Sequence, residues 1–397
     1  MPESAAPAPI PARRLLRRLA WMGVGAGAIL ALQLLQRRPS LAESLMGEGP
    51  LGQAPELLSR TTGVLPLPVA ELVVMGFLVR QGVGVWRDLR ELEPAPARGR
   101  WVLVSAGTRL GQDLGILTAL FVLLWGGHYA RPDLPTRLGI PEAGVVEVAE
   151  LVRLTEAAVA EANRWYMELH GTPDAGIPTP PPDFQSLRRE LEEGWREAAR
   201  RWDLPERSAR SHGPSKPFVA GSVLRRFGVA GMYFPFTGES LVLPRLPGVD
   251  LPRTKAHEMA HQRGWARESD ANALAFLVTR ESSDPAVRYS GALFLQGQLL
   301  AALARSDVEA ARSAASRRLP GVRRDLEYRA RYWEVAQGWT LRLGRSLNDA
   351  MLRAHGVPDG VASYQGSAGI LVGLARSRGE EVLFSGPEAA NSPVPGS

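Results

Sequence analysis

His257-Glu258-Met259-Ala260-His261 is the stretch on which the reading of this chain turns. In a helix of 3.6 residues per turn, residues four apart share a face, so two imidazoles at this spacing reach one metal ion. The intervening Glu258 then stands where a carboxylate takes a proton from activated water. This is the donor pattern of a zinc hydrolase, with Zn2+ as the expected cofactor. The flanks punctuate a short helix: Asp250 and Pro252 suit its start, Gly264 its end. The bland alternative is a pair of histidines lining a solvated helix face.

Composition narrows the rest. At 397 residues with 45% hydrophobic content, the chain has room for a real core. The net charge of +6 is almost all arginine, since lysine occurs only at Lys216 and Lys255. Glutamates are interleaved with the arginines between Arg188 and Arg201, which makes a solvated salt-bridging helix rather than a phosphate-binding face and argues against nucleic acid. There is no cysteine, so His and carboxylates are the only metal ligands to consider.

The first third holds three apolar stretches, at residues 19–36, 64–86 and 101–125, each expected to cross a bilayer. The second contains Pro66, Pro68, Glu71 and Arg80, and the third Arg109 and Asp113, whose four-residue spacing permits a pair on one face. Amphipathic helices on the membrane or in a soluble core are the alternative for these two. Arginines precede the first span (Arg13, Arg14, Arg17, Arg18) and lie between the second and third (Arg87, Arg90, Arg98, Arg100), while Arg37 and Arg38 vote the other way. The balance expects the chain from Gly126 onward on the extracytoplasmic side.

The expected organisation is a disordered tail (1–12), a membrane anchor (13–126), a linker (127–140), a catalytic domain (141–385) and a second tail (386–397). The fold class is α+β, mostly helical. Val145 to Leu169 repeats apolar residues at helical steps, and a second helix is expected over Phe184 to Trp202. Val219 to Pro244, interrupted at Phe236-Thr237-Gly238-Glu239, reads as a β-hairpin or two short strands ahead of the motif helix. Such a strand either binds an extended peptide or merely roofs the core. After the motif the chain reads as helix over Glu268 to Thr279, Ala286 to Ala304 and one long stretch from Val322 to Ala354, then as helix or strand over Ile370 to Ala375.

Two histidines need a third protein ligand. The position at which a longer three-histidine pattern places its last ligand is Arg267, which excludes it. Glu268 opens a second helix whose first turn can face back to the metal, and it is preferred. Glu281, twenty residues after His261, is the rival: that distance resembles the thermolysin-like peptidases, although Pro285 stands where those proteins carry an acidic residue. Asn272, one turn after Glu268, is the expected brace for a ligand histidine. Tyr233, Tyr364, His355 and His212 are the candidate oxyanion donors.

The stretch Gly231 to Glu239, followed by His257-Glu258-x-x-His261-Gln262-Arg263-Gly264 and Glu268-x-x-Ala271-Asn272, resembles domain-of-unknown-function family 3810. That is a bacterial family of membrane-anchored, zincin-like proteins. The resemblance runs from the N-terminal spans to Asp359-Gly360-Val361 and implies multi-pass anchoring in the bacterial cytoplasmic membrane and a zincin-like metallopeptidase domain. Glu268-x-x-Ala271-Asn272 also resembles the E-x-x-A-D element of integral-membrane zinc peptidases, with Asn in place of Asp.

The expected function is zinc-dependent hydrolysis of a peptide or protein substrate at the bilayer, with Glu258 as general base. The alternative is a non-catalytic zinc-binding receptor or scaffold that binds peptides. Oligomeric state is not read from these residues.

Overall fold

A computed structural model describes residues 10–91, 98–141, 144, 146–354 and 366–384. Among them three helices are long and apolar enough to cross a membrane: α1 (Ala12–Gln36), α4 (Val69–Glu91) and α5 (Arg98–Leu124). Two short helices, α2 (Pro39–Met46) and α3 (Pro50–Gly63), lie between the first two. Leu30, Leu78 and Leu103 are among the large apolar side chains that α1, α4 and α5 leave exposed. The second span starts at Val69, not at Val64. Pro66 and Pro68 provide no N–H and hold their predecessors extended, and the helix begins where Glu239 accepts the N–H groups of Val69 (3.0 Å) and Ala70 (2.6 Å).

Arg18 donates to Ser105 and Thr108, Gly25 meets Gly115, and Leu32 meets Gly126, so α1 and α5 run parallel. A Cβ on Gly25 would stand 2.7 Å from the Gly115 Cα, so only glycine permits this backbone approach. Helix α4 is antiparallel to α5, and here one expectation is corrected: Arg109 and Asp113 do not pair with each other. Asp113 takes a two-pronged bond from Arg80 (2.9 Å and 2.9 Å), and Arg109 pairs with Asp88 (2.7 Å). Apolar surroundings make an unpaired charge costly, so each partner sits on the neighbouring helix. Arg109→Ala would strand Asp88 and cost about 3–5 kcal/mol. A melting experiment on the full chain in nanodiscs checks this. The Asp88→Ala, Arg109→Ala double variant should lose less than the sum of the single losses.

The larger part of the chain is helical around one small sheet. Helices α6 (Leu134–Leu138), α7 (Val148–His170) and α8 (Phe184–Arg201) precede strand β1 (Lys216–Pro217) and helix α9 (Gly221–Arg226). Strands β2 (Gly231–Phe234) and β3 (Glu239–Val242) form an antiparallel hairpin, with β1 parallel to β3 on its other side, so β2 is an edge strand. Then come α10 (Leu251–Gln262), α11 (Glu268–Arg280), α12 (Pro285–Ser306), α13 (Val308–Ser316), α14 (Pro320–Trp333), α15 (Gly338–Ala354), α16 (Gly366–Arg378) and α17 (Glu381–Phe384). The long helix expected from Val322 to Ala354 is two helices, broken before Gly338, which adopts φ +67°. Trp195, Leu191, Leu241, Ala256, Leu274 and Leu371 are buried in the main core, which packs α8, the sheet, α10, α11 and α16 together.

The segment 127–140, expected as a linker, carries α6 and most of a single 3-10 turn, Gly126–Ala130. His128, Tyr129, Arg131 and Leu134 in it are buried. The bundle is thereby joined to the domain through packed residues.

Candidate metal centre

Helix α10 begins with Pro252 in its first turn, while the Asp250 side chain bonds Arg329 and Trp333 instead of capping it. Gly264, at φ +84°, turns the chain so that α11 starts at Glu268 and packs back against α10. His257 and His261, each 7% exposed, are not on a solvated face. The Nε2 of His257 lies 3.2 Å from Oε2 of Glu268, and the Nε2 of His261 lies 3.7 Å from its Oε1. All three donor groups come within 4.8 Å of one another, the single such grouping of three His or carboxylate ligands among the described residues.

The two His–Glu268 distances lie close to those of a metal site. Ligand atoms about 2.0–2.2 Å from a tetrahedral zinc stand roughly 3.3–3.6 Å apart. Oε2 of Glu268 is buried and has no hydrogen-bond partner among the described residues, as suits an oxygen that ligates a metal. Nδ1 of His261 faces the Trp265 carbonyl at 2.7 Å. A carbonyl only accepts, so Nδ1 carries a proton and Nε2 is the ring atom that faces the site.

Burial pushes the Glu258 carboxyl up to about 8, with the charge of Glu268 acting in the same direction. Burial works against the charged form of His261, but Glu268 and Glu258 outweigh it and raise the imidazole to about 9. Burial likewise works against the Glu268 carboxylate and is outweighed by His261 and His257, which hold it well below the carboxylate range. The Glu268 carboxylate is thus the main draw for positive charge in this pocket.

Glu258 is oriented from the sheet. The Tyr233 N–H donates to it, and Gly231 lies so close that a Cβ there would stand 2.5 Å from Oε1 and 2.7 Å from Cγ. Bonds at Leu243 N to Ala230 O and Phe218 N to Val242 O set the alternation of the ladder, so Gly231 and Tyr233 direct their backbone groups away from β3. The unpaired edge of β2 therefore faces the motif helix.

Other expected residues fall elsewhere. Glu281 caps the far end of α11, where it pairs with Arg280 (2.6 Å) and Arg201 (3.8 Å). Asn272 bonds neither histidine; its Oδ1 accepts from Arg253, while Nδ1 of His257 has no partner among the described residues. Tyr233 is buried beside His261, ring centroids 6.5 Å apart, and its hydroxyl has no hydrogen-bond partner among the described residues. His212 bonds the Arg210 carbonyl and stands outside the donor grouping. Tyr364 and His355 lie outside the described residues.

Three neighbours escaped sequence reasoning. Arg253 is one turn before His257, so its bond to Asn272 is a second rung beside the His257–Glu268 rung, one helical turn away. The four-residue periodicity that exposed the histidines also points to it. Trp125, the residue that follows α5, packs on Tyr233 (4.6 Å) and His261 (5.9 Å), and Tyr129 joins the same cluster. Nothing local in the sequence signals either, because the contact spans more than a hundred residues.

A family model described as "Protein of unknown function (DUF3810)" matches residues 54–372. No curated protein and no solved structure matches the chain.

Proposed function

The chain belongs to the DUF3810 family, and from the site it carries we propose a membrane-anchored, zinc-dependent metallopeptidase that hydrolyses peptide bonds. The observation that carries this reading is the set of buried His257 and His261 with half-buried Glu268, and Glu258 beside it. A site built only to hold metal needs no further carboxylate steered by a strand edge.

His257, His261 and Glu268 would hold Zn2+, which acts there as a Lewis acid toward water and the scissile carbonyl. Glu258 takes the proton of the attacking water and delivers it to the departing amine. Tyr233 N–H keeps that carboxylate in place. Arg253, held by the neutral amide of Asn272 and not by a carboxylate, keeps its charge available one turn from His257. The position of β2 at the sheet edge suits the extended backbone of a peptide.

Both arginine clusters fall at the bundle end opposite the domain, since α1 and α5 run toward the domain and α4 away from it. That arrangement supports a multi-pass protein of the bacterial cytoplasmic membrane with its site on the extracytoplasmic side.

The reading is tested by metal content and by cleavage of casein and of a peptide library, using the full chain in nanodiscs. Zinc at one ion per chain with zinc-dependent cleavage is expected; a chain that binds no zinc sinks it. Gly231→Ala is a sharper probe. Its methyl group would displace the Glu258 side chain, so turnover should fall at least about 10-fold with zinc content unchanged. Unaltered turnover would remove Glu258 orientation from the scheme.

A further inference from the structure

Trp125, the first residue after span α5, meets the His261 ring nearly at right angles, centroids 5.9 Å apart, and packs on Tyr233 at 4.6 Å. Phe121, one turn inside the span, packs against the same cluster of Trp125, Tyr129, Tyr233 and Ala266. The span therefore ends against one of the two motif histidines. Its length sets the depth of that contact. From Arg100 to Leu124 the helix extends roughly 36 Å at 1.5 Å per residue, more than the about 30 Å hydrocarbon core and less than the about 40–45 Å of core plus headgroups. With Arg100 in the headgroups of one leaflet, Trp125 falls in those of the other, the layer in which tryptophan is enriched.

Helix α4 gives the same level independently. From Val69 to Arg90 it extends roughly 32 Å, and the N–H groups of Val69 and Ala70 are held by Glu239 of β3, the strand paired with β2 and its Tyr233. The sheet thus stands where the span leaves the hydrocarbon. Around that point the surface is apolar: Val64 is 82% and Val219 78% exposed, and Leu65 and Leu67 are exposed between Val64 and the start of α4. Val219 is fixed there, because its N–H donates to Glu71 in the first turn of α4 (2.9 Å). Apolar side chains exposed at the mouth of a span lose less free energy in lipid than in water.

We infer that the site formed by His257, His261 and Glu268 lies at the bilayer surface and that its substrate is the juxtamembrane segment of a membrane-anchored protein. The substrate class rests on the peptidase reading; the placement does not. A chain anchored in the same bilayer is held at the level of the site, and its effective concentration there is highest for the shortest tether that reaches.

Placement is tested without reference to activity. The chain has no cysteine, so Val64→Cys, Val219→Cys and Met232→Cys each carry a single nitroxide on the full chain in nanodiscs of phosphatidylethanolamine and phosphatidylglycerol. Met232 is the exposed neighbour of Tyr233 on β2, and a label at Val308, exposed on α13 where it packs against α7 and α12, is the reference. All three labels are expected to be shielded from a water-soluble nickel chelate and open to oxygen relative to the reference. A Met232 label as open to the chelate as the Val308 label overturns the placement.

Substrate class is read in vesicles of the same lipids. The library peptide that is cut fastest is joined to a transmembrane helix through a Gly/Ser tether of about 5 or about 40 residues; effective concentration falls as roughly the −3/2 power of tether length, so the short tether should be cut about 20-fold faster. Equal cutting of both, or faster cutting of the long tether, overturns the juxtamembrane substrate. Shielded labels on a chain that cuts no peptide overturn the peptidase and its substrate together and support the placement.

Discussion

Glu258→Gln is expected to lower peptide turnover by about 10²–10⁴-fold, the usual worth of a positioned general base, while zinc content stays at one ion per chain. Glutamine keeps the shape of the side chain and cannot accept the proton from water. Metal retention follows because Glu258 is outside the His257, His261, Glu268 donor set. Stability should hardly change, since glutamine fills the same buried space and keeps an oxygen that can accept the Tyr233 N–H. Cleavage kinetics beside metal analysis on both proteins read the outcome. Zinc binding with no Glu258-dependent turnover in the unmodified chain would replace the peptidase with the zinc-binding receptor that binds peptides.

Glu268→Ala and Glu281→Ala should fail in opposite ways. Removing Glu268 deletes the carboxylate between two imidazoles, and zinc affinity should fall by more than the 10–100-fold typical of groups that only support a ligand. Zinc at about a thousand times Kd stabilises a fold by about 4 kcal/mol, so the zinc-dependent rise in Tm should vanish in this variant. Glu281 is 2% exposed in its side chain, with Arg280 and Arg201 beside it. Its removal strands buried guanidinium charge, costs about 3–5 kcal/mol and should leave zinc binding intact. Loss of zinc in Glu281→Ala alone would transfer the third ligand to that residue. Melting curves with and without zinc separate the two effects.

Much of this was legible from local pattern. The four-residue step of His257 and His261, the Gly264 turn and the helix opened by Glu268 all lie within a dozen residues, so helix geometry alone brings them together. The hairpin ahead of the motif follows from its Val, Tyr, Phe and Leu content and the Gly238 turn, at φ +67°. The Asn272 expectation rested on the same periodicity and missed its partner: helical spacing says which face a residue shares, not which side chain on the facing helix reaches it first. Arg253 reaches Asn272, and the Trp265 carbonyl orients the histidine instead. Arg109 and Asp113 show the same limit, since each found a stronger partner across the α4–α5 contact.

Residue order along the chain was enough for the donor set, its helices and the apolar spans, because each depends on periodicity and composition over a few turns. Folding in three dimensions settled that Trp125 at the end of a span packs on His261, that Glu239 of the sheet caps span α4, and that Arg207 bonds the Met46 carbonyl. Those contacts join residues 136 to 169 positions apart. Their pairing is chosen by packing and by the cost of burying unpaired charge, which short-range pattern does not encode.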